Sequence, residues 1–158
     1  MRALRVVTAL LFASLLASAA RAGDVAIIVY RGNPQTDVTL AELSRLFRLD
    51  QQRWASGEKV DVILQVGGSD KAAVILDRVY RMKAEDLKPF WLGKIYRGEL
   101  TAAPRVLASD AGVKQFVASN PRAMGYIDSL LLDGSVKALR VDGKLPGEPG
   151  YPLARAAN

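Results

Sequence analysis

One short stretch of the chain combines the residue types that could hold an anion. Residues 65–71 read QVGGSDK and lie where an apolar run gives way to a helical pattern. Gly67 and Gly68 permit backbone angles that other residues resist, and Ser69 or Asp70 is a suitable helix N-cap. Free N–H groups and the dipole at a helix start attract anions. The stretch therefore predicts an anion-binding turn or, in the simpler interpretation, a connector whose own side chains satisfy those donors.

The elements around this stretch are predicted from hydrophobic spacing. Alternating apolar residues predict a strand over residues 60–66, and apolar residues at helical spacing predict a helix over residues 70–82. Trp91 and Phe116 lie on the apolar stripes of later helices and are predicted core residues. A continuous apolar run predicts a strand at 25–30 that is buried on both faces, and further strands are predicted at 104–108, 125–127 and 136–141. Helices are predicted after the N-cap Thr39, over residues 85–96, and after a cap at Ser109 or Asp110 as far as Asn120.

This order of elements predicts where a ligand would bind. Strands that alternate with helices indicate an α/β fold, a layered αβα domain with a mainly parallel sheet. In such sheets ligands collect beyond the carboxyl ends of the strands. Arg31 follows the first strand and shares that edge if the first strand and the 60–66 strand are parallel neighbours. The predicted ligand-binding residues are therefore Gln65, Gly68, Ser69, Asp70, Lys71 and Arg31.

The amino terminus has the pattern of an export signal. Arg2 and Arg5 form a basic start, residues 6–16 are almost continuously apolar, and Ala22 completes a small-x-small cleavage pattern. The apolar run is short for a bilayer span, so a cleaved signal fits better than a membrane helix. We predict a signal peptide over residues 1–22 and release into the periplasm of a Gram-negative-type cell.

The length and net charge of the mature protein, residues 23–158, limit its possible architecture and partners. Removal of residues 1–22 leaves 136 of the 158 residues, enough for one domain with its own core. We predict a single α/β domain over residues 23–143 and a Pro- and Gly-rich carboxyl-terminal tail over residues 144–158. The removed segment carries three arginines and no acid, so the net charge falls from +6 to +3. This mild charge forms no basic block and argues against nucleic acid as a partner.

The composition excludes several kinds of catalytic site. The chain contains no histidine and no cysteine. A Ser-His-acid triad is therefore impossible at Ser69, and the usual ligands of transition-metal sites are missing. The glycine-lysine pairs of the chain lack the spacing of a phosphate-binding P-loop. We expect a protein that is not an enzyme and that uses neither a metal nor a cofactor.

A series of short motifs runs along nearly the whole mature chain. The motifs are Asn33-Pro34, Leu43-x-x-Leu46-Phe47, Trp54 with Gly57, Gly68-Ser69, Leu87-x-x-Phe90-Trp91, Asn120-Pro121, Gly125-Tyr126-Ile127, Val141-Asp142-Gly143 and Tyr151-Pro152-Leu153. In this order they resemble the phosphate-type (PstS-like) substrate-binding proteins of ABC importers, especially their short exported members. The resemblance implies one lobe of a type II periplasmic binding protein, a small oxyanion such as phosphate as ligand, and an ABC permease or another envelope protein as partner.

The turn departs from the anion loop of that family, which has an arginine followed four residues later by Ser-Gly-Thr. Here Gln65 replaces the arginine, and Asp70 and Lys71 replace the last two residues. Each charge-assisted bond lost with the arginine is worth roughly 1.5–3 kcal/mol, about ten- to a hundredfold in affinity. Two hypotheses follow. The protein binds a small oxyanion weakly, or it is a single-lobe interaction module, with a homodimer as one arrangement, that has lost ligand binding.

Overall fold

The first strand is apolar along its length because both of its faces are covered. In the computed structural model, which describes residues 23–156, strand β1 (Val25–Tyr30) has five successive side chains with no exposure. Val25, Ile27 and Val29 enter one core cluster, whereas Ala26 and Ile28 enter a second cluster on the opposite face. A continuous apolar run is the pattern expected of a strand that is buried on both faces.

Thirteen elements follow one another within residues 23–156, and most lie where hydrophobic spacing predicts them. The strands are β1 (Val25–Tyr30), β2 (Asp37–Val38), β3 (Asp61–Gln65), β4 (Arg105–Leu107), β5 (Ala123–Asp128), β6 (Val136–Ala138) and β7 (Arg140–Val141). The helices are α1 (Leu40–Phe47), α2 (Asp70–Val74), α3 (Ala84–Tyr96) and α4 (Asp110–Ser119), with a π-helical segment (Ile75–Tyr80) and a 3-10 turn (Ser129–Leu131).

The main sheet has the strand order β4-β3-β5-β1-β6. β4 and β5 both pair in parallel with β3, whereas β1 is antiparallel to β5 and to β6. Four of the five strands therefore point the same way, which confirms the layered α/β fold with a mainly parallel sheet. Because β1 runs against them, Arg31 follows the end of β1 at the opposite edge of the sheet. The expectation that Arg31 shares an edge with the 65–71 stretch is wrong.

The helix after β3 is longer than α2 alone. α2 continues without a break into the π-helical segment, and we call the two together the α2–π helix (residues 70–80). It ends at Arg81, which has a φ of 53° in the left-handed region. Such a residue commonly terminates a helix, although glycine is the usual choice there. The predicted helix over residues 70–82 is therefore confirmed, with a π-helical second half that the spacing does not reveal.

Two hydrophobic clusters fill the space between the sheet and its helices. Trp91 is 6% exposed and belongs to the larger cluster, as predicted. Phe116 is only half-buried at the margin of the smaller cluster, so its predicted core position is wrong. From the tail, Tyr151 and Leu153 are 3% and 0% exposed within the larger cluster. The tail is thus packed against the domain through these two side chains.

The described residues can be searched for membrane-spanning helices, whereas the predicted export signal lies outside them. Across residues 23–156, no helix combines the length and apolar character needed to cross a membrane. The predicted signal peptide, residues 1–22, lies outside the described residues, and its cleavage stays a prediction.

Candidate functional site

The turn between β3 and α2 (residues 66–69, the β3–α2 turn) lies at the carboxyl edge of the parallel strands. Gly68 has a φ of 95°, a left-handed conformation that favours glycine. A Cβ atom at Gly67 or Gly68 would meet no other atom within 4 Å. The requirement at Gly68 is therefore conformational, and the space above the turn is open.

Ser69 caps the helix that starts at this turn. Its hydroxyl oxygen accepts a hydrogen bond from the backbone N–H of Ala72 at 3.1 Å, as an N-cap serine is expected to do. Asp70 follows in the first turn of α2 and is exposed, where a carboxylate complements the positive end of the helix dipole. Part of the anion-attracting potential of this helix start is thus satisfied by its own side chains.

The other donors of the site, the side chains of Lys71 and Gln65, bind the carboxylate of Asp110. The sequence pattern predicts Asp110 only as a candidate helix cap. Lys71 Nζ donates to Asp110 Oδ2 at 2.9 Å, and Gln65 Nε2 donates to Asp110 Oδ1 at 2.5 Å. The side chains of Lys71 and Asp110 are each only 14% exposed. Asp110 therefore occupies, within the protein, the place at which Lys71 and Gln65 would meet an external anion.

Sheet topology explains why Asp110 lies there. β3 and β4 are parallel neighbours, so the helices that follow them, α2 and α4, begin at the same edge of the sheet. Each helix starts with a capping serine and then an aspartate, Ser69-Asp70 and Ser109-Asp110. The repeated strand-Ser-Asp-helix pattern is visible in the sequence. It could have indicated Asp110 as a partner for Lys71 once the two strands were placed side by side.

Gln65 is fixed on a second side by Tyr126. The Gln65 backbone N–H donates to Tyr126 Oη at 3.2 Å, and Gln65 Nε2 also donates to the Tyr126 carbonyl oxygen at 3.0 Å. Burial raises the pKa of the Tyr126 phenol, the hydrogen bond from Gln65 lowers it, and the nearby Asp110 charge raises it again. The phenol therefore remains neutral at physiological pH, and the Gln65 amide is committed to partners inside the protein.

The structure brings together most of the predicted site but not all of it. Gln65, Gly68, Ser69, Asp70 and Lys71 are contiguous around the β3–α2 turn, whereas Arg31 is at the opposite sheet edge. Sequence reasoning missed Tyr126 and the counter-ion role of Asp110. The resulting arrangement has two helix starts and one ammonium group, which favour an anion. Its best donors already bind an internal carboxylate.

Comparison with solved structures shows what this arrangement of elements is similar to. A candidate phosphate ABC transporter substrate-binding protein from Clostridium perfringens, with bound phosphate, superposes with a TM-score of 0.67 at 24% identity. An ABC-type phosphate transport receptor from Vibrio cholerae gives 0.65 at 20% identity, and PstS from Borrelia burgdorferi gives 0.62 at 19%. Each match covers 84% of this chain.

The protein has the fold of one lobe of a periplasmic binding protein. The matched chains are longer, and this chain spans 53–55% of their length. No protein-family model matches the sequence, and no curated protein sequence matches it either. At these identities the likeness establishes the lobe fold, and the names of the matched proteins describe binding and transport rather than catalysis.

Proposed function

We propose that the protein is a periplasmic, non-enzymatic solute-binding-like protein that binds a small oxyanion such as phosphate weakly at the β3–α2 turn. The observation that carries this proposal is the lobe fold, shared with phosphate-binding transport proteins at TM-scores of 0.62–0.67. An ABC permease is the partner that this similarity suggests. Export through residues 1–22 would place the protein in the compartment where such partners occur.

The contacts at the turn support weak rather than tight binding. An entering phosphate has to compete with Asp110 for Lys71 and Gln65, which hold that carboxylate at 2.9 and 2.5 Å. Asp70 adds a second negative charge at the exposed start of α2. The ligand has the backbone N–H groups after Gly68 and the N–H groups of the Lys71 ammonium that the bond to Asp110 does not use. We expect a dissociation constant of about 0.1–10 mM, equivalent to about −3 to −5.5 kcal/mol.

Calorimetric titration with inorganic phosphate tests the proposal most directly. Asp110→Asn replaces the competing carboxylate by a neutral amide of nearly the same shape, so we expect phosphate to bind about tenfold more tightly or better. Lys71→Gln should weaken binding by a similar factor. Lys88→Gln is the matched control, because Lys88 is exposed on α3 and its replacement makes the same change in net charge.

The three variants have one pattern that would overturn anion binding at the turn. If neither Asp110→Asn nor Lys71→Gln changes the titration relative to Lys88→Gln, the turn acts only as a helix cap. Micromolar affinity in the wild-type protein would instead show that a second copy or a partner completes the site, since a single lobe leaves much of the ligand in water.

Exposed apolar residues at the same sheet edge favour a second candidate function, an interaction module of an envelope complex. Val66 is 56% exposed just after β3, and Leu130 is 69% exposed just after β5. β3 and β5 are parallel neighbours, so both side chains lie at the carboxyl edge beside the turn. A partner that covers this edge would bury them, and burial of apolar surface stabilises association.

Self-association is the form of this second function that can be measured first. Sedimentation over a range of concentrations should show a dimer that Val66→Ser and Leu130→Ser weaken, if a second copy is the partner. An unchanged monomer in wild-type protein would restrict the second function to a different envelope protein. The polar replacements should leave the melting temperature almost unchanged, because the side chains are already in water.

A further inference from the structure

A cavity of about 370 Å³ lies at the other end of the α2–π helix, away from the turn. Three arginines line it: Arg48 is the C-cap residue of α1, Arg78 lies in the last turn of the α2–π helix, and Arg81 is the C-cap residue of that helix. We call it the arginine cavity. Its volume lies in the range of small-molecule pockets. The α2–π helix has about eleven residues, so at about 1.5 Å per residue this cavity is roughly 15 Å from the β3–α2 turn.

Two of the three guanidinium groups are held in place by the protein and still have free donors. Arg48 Nη1 donates to the Tyr80 carbonyl oxygen at 3.0 Å, and the Arg48 guanidinium lies 4.7 Å from the centre of the Phe90 ring. Arg78 Nη1 donates to the Pro152 carbonyl oxygen at 3.3 Å. A guanidinium has more N–H groups than these bonds use. Both side chains are therefore oriented in advance for a further acceptor.

Local acids compensate the arginines only in part. Asp50 is shared, because its Oδ1 accepts from Lys94 at 2.5 Å while its Oδ2 is 3.4 Å from Arg48 Nε. Asp77 pairs with Arg78 at 2.9 Å, but both side chains are more than half exposed, and exposed pairs are weak. Arg81 has no ion-pair partner among residues 23–156. The cavity therefore keeps an excess of positive charge.

The backbone around Arg81 is also unusual. The segment that leads to it is π-helical, a conformation that is frequent at functional sites. Arg81 itself has a φ of 53°, where a residue with a side chain is less favourable than glycine. A large cationic side chain is thus presented to the cavity from a position at which the fold would accept glycine more readily.

We propose that the arginine cavity is a binding site for a soluble phosphate-class anion with several oxygens, such as pyrophosphate or a phosphomonoester. Planar guanidinium groups match phosphoryl oxygens in pairs, which a single ammonium group does not. Three guanidinium groups around one cavity favour an anion that has oxygens on more than one side. This site is separate from the β3–α2 turn, and it does not depend on the displacement of Asp110.

Calorimetric titration of the protein with inorganic pyrophosphate tests this proposal. We expect saturable binding that is weakened about tenfold or more by Arg78→Gln, the loss expected when a charge-assisted contact is removed. Arg81→Gly should have a similar effect. Since glycine suits the left-handed backbone at this position, Arg81→Gly should melt at or above the wild-type temperature, which separates lost binding from lost folding.

Two control variants make the outcome decisive. Arg45→Gln removes one positive charge from the same helix as Arg48 without lining the cavity, and its affinity should stay within about threefold of wild type. Lys88→Gln removes one exposed positive charge from α3, outside the cavity, and should also leave pyrophosphate affinity within about threefold of wild type. The proposal is overturned if wild-type protein shows no saturable binding, if Arg78→Gln and Arg81→Gly bind as Arg45→Gln does, or if Lys71→Gln alone abolishes binding.

Discussion

The two ends of the α2–π helix carry cations in contrasting surroundings. At the amino end, Lys71 is 14% exposed and pairs at 2.9 Å with an equally buried Asp110. At the carboxyl end, Arg78 is 54% exposed, and Arg81 has no ion-pair partner within the described residues. The amino end has the sequence pattern of an anion site but its best donors are taken, whereas the carboxyl end has free donors without a recognisable pattern.

We infer from this contrast that the capacity to bind an anion depends on unused donors rather than on the residue types of a turn. A helix start attracts negative charge whether that charge comes from a ligand or from the protein. At the amino end of the α2–π helix, the fold places Asp110 beside the helix start, and its carboxylate supplies the negative charge. Arginines at a helix carboxyl end interact favourably with the dipole there, and this explains their place without using all of their hydrogen-bond donors.

The largest expected effect concerns the core packing that holds the carboxyl end of the α2–π helix. Tyr80 packs edge-on against Trp91, with ring centroids 6.1 Å apart. Trp91→Ala should lower the free energy of unfolding by roughly 3–5 kcal/mol, the range for large aromatic truncations in a core. Phe116→Ala, on the other side of the sheet and only half-buried, should cost less than about half as much. Denaturant melts measure both, and equal losses would show that the two helix layers are anchored alike.

The second effect concerns the ion pair at the amino end. Asp110→Ala leaves the Lys71 ammonium group without its partner in a site that is 14% exposed. Loss of one member of a fully buried pair costs about 3–5 kcal/mol; with this partial exposure we expect about 1–3 kcal/mol. Asp133→Ala breaks the Lys114 pair, where Asp133 is 51% exposed, and should cost clearly less, because exposed ion pairs contribute little. Similar costs would mean that Asp110 does not hold the site together.

The third effect is smaller and depends on pH. Tyr80 Oη donates to the buried Phe47 carbonyl oxygen at 2.9 Å, so Tyr80→Phe should cost about 1–1.5 kcal/mol near neutral pH. Burial raises the pKa of the Tyr80 phenol well above its usual value, the Tyr126 charge adds to the rise, and Arg48 opposes it. A raised pKa contributes stability that is complete below about pH 10 and is lost as the pH rises further, because the unfolded chain ionises first.

Alkaline unfolding measurements separate these two contributions of Tyr80. Wild-type stability should fall with a steeper slope above about pH 10 than the stability of Tyr80→Phe. A smaller alkaline slope remains in the variant, because burial also raises the phenol pKa values of Tyr126 and Tyr151. Identical slopes in the two proteins would contradict the burial of the Tyr80 hydroxyl.

The smallest effect is at the N-cap of the α2–π helix. Ser69→Ala removes the acceptor for the Ala72 N–H group and should destabilise the protein by about 1 kcal/mol. Ser69→Gly should cost only a few tenths of a kcal/mol, because glycine is tolerated at N-caps. Thermal melts of the two variants decide the point. A loss well above about 2 kcal/mol would indicate that Ser69 has a further role in the contacts around Asp110.

Local patterns were sufficient for most of the elements and for the class of fold. The continuous apolar run of β1 predicts a strand covered on both faces, and Thr39 predicts the start of α1, where its hydroxyl accepts from the N–H of Glu42 at 3.1 Å. Trp91 was predicted as a core residue and is 6% exposed. These features depend on neighbours along the chain, which hydrophobic spacing and capping chemistry describe directly.

Contacts between distant segments decide which residues form the candidate site and whether its hydrogen-bond donors are available to a ligand. Lys71 and Asp110 are 39 residues apart in sequence, and only the parallel pairing of β3 with β4 places their helix starts at one edge. The antiparallel course of β1 likewise sends Arg31 to the other edge. Hydrophobic spacing and capping residues are therefore enough to identify most helices and strands and an anion-attracting helix start. Which charge meets that start depends on strand order and direction, because these set long-range distances that no local pattern contains.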